Sequence, residues 1–195
     1  MITPLGKGRR NSDWLRAAGL YTLGGGVSSI FAGAILGWAG RLLRTYFSGR
    51  LLWVVLALWA LALALREIGS LPFGLPQKKC QAPYGWFHRF DYGSVLFMWG
   101  FQIGVGLSTF IVFSGLYAVV AAAMVGADPV MGGALMLSYW LGRTLPVWIA
   151  PTLTNSWPMR TIRSRGLTNP DQLRKMSFVA LLWFAGVSCV IALRS

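Results

Sequence analysis

Residues Leu51 to Leu65 read LLWVVLALWALALAL, an uncharged run of leucine, alanine, valine and tryptophan with no polar face. A helix that is apolar around its whole circumference has no side that prefers water, so it is suited to lipid or to a large core. Crossing a bilayer takes ~20 residues of helix, so this span must borrow neighbours such as Phe47 and Ile68, giving a helix over about 51–68. The whole chain has the same character. Of its 195 residues, 55% are hydrophobic and only 12% charged, with a mean hydropathy of +0.58, whereas soluble domains carry about a quarter charged residues. The composition predicts an all-α integral membrane protein, one transmembrane domain over 1–195 with about five spans.

Upstream, the first span covers about 17–43. Its apolar run is longer than a signal-peptide core needs, so the basic start (Lys7, Arg9, Arg10, Arg16) and the cleavage-like Phe31-Ala32-Gly33-Ala34 are read as an uncleaved first helix. Gly24-Gly25-Gly26-Val27-Ser28-Ser29 lies at its centre and predicts a bent or interrupted helix, with a re-entrant segment as the alternative. Gly25, Ser29, Gly33 and Gly37 recur every fourth residue, a narrow face on which another helix can pack closely. Downstream, residues 69–91 hold Pro72, Pro76 and Pro83 with Trp86, Phe87 and Phe90, which suits an interfacial loop lying on the membrane. A third apolar stretch over 92–126 is too long for one upright crossing and carries Gly100, Gly104, Gly106, Ser108, Ser114 and Gly115. It is either a long tilted helix or one broken near Ser108 to Gly115. A turn at Gly126-Ala127-Asp128-Pro129 leads into a fourth span over 130–150, closed by Pro151. Asn169-Pro170-Asp171 opens a fifth over 169–193.

The net charge of +13 would suggest nucleic acid in a soluble domain, but here the basic residues sit between apolar runs. They read as topology signals and contacts to anionic lipid headgroups, with no nucleic-acid partner. A cytoplasmic N-terminus in the cell inner (plasma) membrane places most of the 18 Lys and Arg inside, as the positive-inside rule asks. Arg41, Arg44 and Arg50 together on the outer side are the weak point, and a re-entrant first segment would explain them differently.

Gly26-Val27-Ser28-Ser29-Ile30 and Gly106-Leu107-Ser108-Thr109-Phe110 share one pattern, and both fall mid-span where a helix is weak. Duplicated halves with broken helices meeting at the midplane are a transporter architecture, so the pair raises a degenerate inverted repeat with Ser28, Ser29, Ser108 and Thr109 as a midplane site. Arg143 lies within the fourth span, where arginine is costly unless paired or snorkelling. Beside it, Trp140 could stack on an anionic ligand or headgroup held there. Trp38-Ala39-Gly40-Arg41 echoes Trp140-Leu141-Gly142-Arg143, which favours a shared structural role at helix ends.

These stretches resemble the CcdA and DsbD transmembrane family of thiol electron conductors, within the wider LysE-like group of small transporters. Gly26 to Gly33 and Gly104 to Gly115 correspond to the family's glycine/serine/threonine-rich stretches, and Gly142-Arg143-Thr144-Leu145-Pro146 resembles a Gly-Arg-x-x-Pro segment of CcdA-like proteins. Where that family places redox cysteines, this chain has Ile30 or Phe31 and Phe110 or Ile111. Thiol relay requires a thiolate attacking a disulfide, so the resemblance implies a shared fold without the shared chemistry.

Cys80 and Cys189 are far apart and His88 is the single histidine, so no metal site is expected from this chain. No paired carboxylates, activated nucleophile or phosphate-binding glycine loop is evident, and Asp13, Glu67, Asp91, Asp128 and Asp171 all read as lying outside the apolar cores. Enzymatic catalysis and a cofactor are therefore not expected, although bound lipid, or contact with a pigment or quinone, would suit the many aromatic rings. The expected role is a non-catalytic accessory or structural subunit of a larger membrane assembly, electron-transfer or photosynthetic. Its docking surfaces would be small-residue faces that include Gly25, Ser29, Gly33, Gly37, Gly100 and Gly104. The alternatives are a small-solute or ion transporter, and last a thiol conductor using Cys80 and Cys189.

Overall fold

A computed structural model describes residues 11–71, 73–75, 89–105, 114–156 and 170–194. Six helices form among them: α1 (Asn11–Tyr46), α2 (Gly49–Glu67), α3 (Tyr92–Gly104), α4 (Gly115–Gly126), α5 (Pro129–Ser156) and α6 (Pro170–Arg194). Three are long and apolar enough to cross a membrane, over Trp14–Tyr46, Gly49–Glu67 and Arg174–Arg194. The expected five spans thus reduce to three that meet this measure among the described residues. Large apolar side chains project from all three, including Phe31 and Ile35 on α1, Leu58 on α2, and Met176, Val179 and Trp183 on α6. Exposed apolar surface of that extent calls for lipid or protein cover.

The first span corrects the sequence reading, because α1 runs unbroken for 36 residues through all three central glycines. What the glycines provide is close approach. A methyl on Gly24 would strike the carbonyl of Phe97, one on Gly100 would strike that of Tyr21, and one on Gly104 would strike Gly25 and Ser28, so α1 and α3 touch backbone to backbone. Further along, Gly33 and Gly132 face each other, Gly37 meets the carbonyl of Asp128, and Gly40 meets that of Met124. The glycine cost in helix propensity, about 1 kcal/mol each in water, is set against close helix contact that no larger residue permits. A re-entrant first segment does not fit this continuous helix.

The third apolar stretch forms two helices, α3 and α4, whose junction at 106–113 lies outside the described residues. Asp91 caps α3 by accepting from the N–H groups of Gly93 (3.1 Å) and Ser94 (3.2 Å). The hydroxyl of Ser94, also donating to Asp91, holds that carboxyl below the usual carboxylate range. The cap is therefore complete at neutral pH and is lost only as acid protonates Asp91 below its ordinary range. At the other turn Ala127 takes a left-handed φ of 53°, and Asp128 caps α5 through the N–H of Met131 at 3.0 Å. Pro151 does not close α5, which continues to Ser156.

The helices make two groups joined by α4. On one side α1 packs with α3 and α5; on the other α2 packs with α6. The short, alanine-rich α4 touches both: Ala118 packs with Leu63, Ala64 and Leu181, Ala122 and Val125 pack with Leu56, and Leu116 packs with Met136. Gly33→Ala and Gly37→Ala should each destabilise by about 1–3 kcal/mol through overpacking. Gly186→Ala, where the added methyl meets nothing within 4 Å, should be neutral or mildly stabilising. Thermal unfolding in mild detergent, followed by tryptophan fluorescence, separates the two classes.

Candidate functional site

The hydroxyls expected to line a midplane site are buried and already bonded. Ser28 donates to the carbonyl of Gly25 at 3.1 Å, and Ser29 donates to that of Gly104 at 2.9 Å. Gly104 ends α3, where helix carbonyls lack intrahelical partners, so Ser29 both satisfies that end and ties it to α1. Ser108 and Thr109 lie outside the described residues, as does Cys80. Cys189 is exposed on α6.

Trp140 and Arg143 sit beside the first half of α1. The Trp140 ring is 2% exposed and rests where a methyl on Gly25 would collide with it. Its N–H donates to the carbonyl of Thr22 at 2.9 Å. A ring so held packs the helices together and does not offer a stacking face, which corrects that part of the sequence reading. Tyr21 lies 5.3 Å from Trp140 and 5.8 Å from Trp99 between ring centroids. Trp148 donates to the Thr22 hydroxyl at 3.0 Å and meets Trp14 edge-on at 5.8 Å. Arg143, half-buried, interacts with Tyr21 and with Tyr139 one turn earlier on α5.

The centre that sequence reasoning missed is Glu67. Its side chain is 3% exposed, although the acid was expected outside the apolar cores. It accepts from the N–H of Ser114 at 2.8 Å and from the Ser114 hydroxyl at 2.5 Å. Arg66 approaches the same carboxylate oxygen to 3.7 Å, donates to the Ser114 hydroxyl at 3.0 Å and to the carbonyl of Phe73 at 3.0 Å, and lies over the Phe73 ring. Ser114 opens α4 but makes no side-chain cap of its own. Glu67 supplies the acceptor from another helix, placing negative charge at the positive end of α4. Gly69, with φ of +82°, turns the chain off α2 directly after this pair. The only hint in the sequence was an Arg-Glu step ending one apolar run with a serine opening a later one.

The opposite end of α4 is held by arginines. Arg44 donates to the carbonyl of Val125 at 3.2 Å, and Arg41 donates to that of Ala127 at 3.3 Å while pairing with Asp128 at 3.3 Å. These carbonyls lie in the last turn of α4 and at its C-cap, where positive charge is favoured. Two of the three arginines that strained the topology argument therefore have a local structural use. The echo between Trp38–Arg41 and Trp140–Arg143 does not extend to role, since Arg41 serves a helix end and Arg143 lies in the interior of α5.

No family model and no solved structure matches the chain. Curated sequences do. It is 30% identical over 153 residues to the methylamine utilization protein MauF of Paracoccus versutus, covering 75% of this chain and 54% of that protein. The chain resembles MauF. With MauF of Paracoccus denitrificans it shares 26% identity over 148 residues (75% of this chain, 53% of the relative), and with that of Methylorubrum extorquens 29% over 132 residues (66% and 45%). The chain spans about half the length of the curated relatives it matches.

MauF relatives overturn the resemblance to CcdA, DsbD and the LysE-like group, which none of the matches supports. The reason is physical. Gly33 and Gly104 are glycine because helices approach one another there, a need common to many membrane folds, so such motifs carry little family information. If Glu67 joins α2 to α4 as its contacts indicate, Glu67→Ala should cost about 3–5 kcal/mol by stranding Arg66 and the Ser114 N–H. Glu67→Gln, which keeps an acceptor, should cost clearly less. Thermal unfolding of the two variants in detergent measures the difference.

Proposed function

We propose that this chain is a non-catalytic accessory subunit of a membrane assembly serving methylamine utilization, crossing the inner membrane with its N-terminus cytoplasmic. The observation that carries the reading is the similarity to MauF from several bacteria, each named for methylamine utilization. The internal chemistry supports it. The described polar groups are largely engaged in holding helices together: Ser28, Ser29, Trp140, Glu67 and Arg66 all bond within the bundle. The apolar faces of α1 and α6 are left for lipid and for neighbouring subunits.

A small-solute or ion transporter is the second reading, and one observation favours it: a buried carboxylate at the start of α4. Intramembrane carboxylates often mark ion and proton paths, and Glu67→Gln would then abolish flux while leaving the protein folded.

Deleting the gene in its native host should impair growth on methylamine while leaving growth on ammonium unchanged. Purification from methylamine-grown membranes in mild detergent should bring down partner proteins in stoichiometric amount. Unimpaired growth together with a chain that purifies alone and stable would overturn the accessory reading.

A further inference from the structure

Arg143 is a half-buried charge with no carboxylate partner among the described residues. Among the described residues, Glu67 is committed to Ser114 and Arg66, Asp91 to Ser94 and the start of α3, and Asp128 to Arg41 and Met131. No described carboxylate forms an ion pair with Arg143. Its neighbours instead are two phenols: Tyr139, one turn earlier on its own helix and hydrogen-bonded to it, and Tyr21 of α1, close enough to feel its charge.

Its level along the bundle is set by packing. Gly132 opposes Gly33 and Trp140 opposes Gly25, so α5 runs antiparallel to α1 and Arg143 falls beside Tyr21. From Tyr21 to Arg41 the axis of α1 covers about 30 Å, one hydrocarbon thickness. Arg41 and Asp128, both well exposed, mark one polar boundary, which puts Arg143 and the two phenols at the other. Trp14, Trp99 and Trp148 lie at the same end, as indoles and phenols do at headgroup level.

We propose that Arg143, with the hydroxyls of Tyr21 and Tyr139, forms a site for a phosphate-bearing anion at this membrane face. Two neutral donors beside a guanidinium suit phosphate oxygens, which accept hydrogen bonds and supply the missing negative charge. The phosphodiester of an anionic phospholipid and free phosphate share this chemistry. The inference rests on the membrane placement and not on the methylamine role.

The test is native mass spectrometry of the detergent-purified chain titrated with phosphatidylglycerol, phosphatidylcholine or inorganic phosphate. Wild-type protein should retain phosphatidylglycerol over phosphatidylcholine by about fivefold, the worth of roughly one basic residue at an anionic surface. Arg143→Gln should erase that preference, Arg143→Lys should keep part of it, and Tyr139→Phe should weaken it. Saturable retention of inorganic phosphate, lost in Arg143→Gln, would support the site and identify the free anion as its ligand. Equal phosphatidylglycerol preference in wild type and Arg143→Gln, with no phosphate retention that depends on Arg143, would overturn the proposal. Should Arg143→Gln fail to fold, an unchanged preference in Tyr139→Phe overturns it equally.

Discussion

A helix of twelve residues is about 18 Å long, too short to carry both of its ends to the faces of a bilayer. The unpaired N–H groups at the start of α4 and the unpaired carbonyls at its end must therefore find partners among protein groups. Much of the architecture follows from that need. Glu67 reaches from α2 to the first end, and Arg41 and Arg44 reach from α1 to the second. A negative group thus meets the positive pole of the helix and positive groups meet its negative pole. Because the partners come from different helices, satisfying α4 also fixes α1 and α2 relative to each other.

The same demand explains why α1 is continuous. In a membrane, an interrupted helix exposes backbone groups that something else must satisfy, whereas an intact one satisfies its own. Glycine in this setting is selected for its lack of a side chain. On α1 the small positions turn to three different neighbours: Gly24 and Gly25 towards α3 and Trp140, Gly33 and Gly37 towards α5, Gly40 towards α4. Close approaches on several sides make the longest helix, α1, the organiser of the group it forms with α3 and α5.

The sequence was legible where local composition decides the outcome. Apolar runs located α1, α2 and α6, and the Gly126 to Pro129 turn marked the boundary between α4 and α5. It was not legible where tertiary contact decides. Three consecutive glycines look alike whether they break a helix or admit a neighbour, and only the position of Phe97 and Trp140 distinguishes the two. Glu67 follows Arg66 at the end of an apolar run, the usual place for an exposed charged pair, and its burial depends on Ser114, 47 residues away. Ser28 and Ser29 were found as buried hydroxyls, but their partners are carbonyls of the bundle, which no spacing within the chain announces.

Charge distribution bears on the choice between a scaffold and a carrier. A carrier needs a polar group whose partners can be exchanged during its cycle, whereas a scaffold profits from partners that stay. Glu67 has partners of the second kind: its acceptor oxygen is shared between a backbone N–H and a hydroxyl of α4, and Arg66 is anchored to the Phe73 carbonyl as well. Releasing it would strand a helix end and a guanidinium together, at a cost of several kcal/mol. Arg143 differs in kind, because the described bundle gives it phenols and no carboxylate, and an ion from outside can come and go without unpicking helix contacts. The deeply buried charge thus belongs to the framework, and in the site proposed for Arg143 exchange with the surroundings would fall to the less buried one.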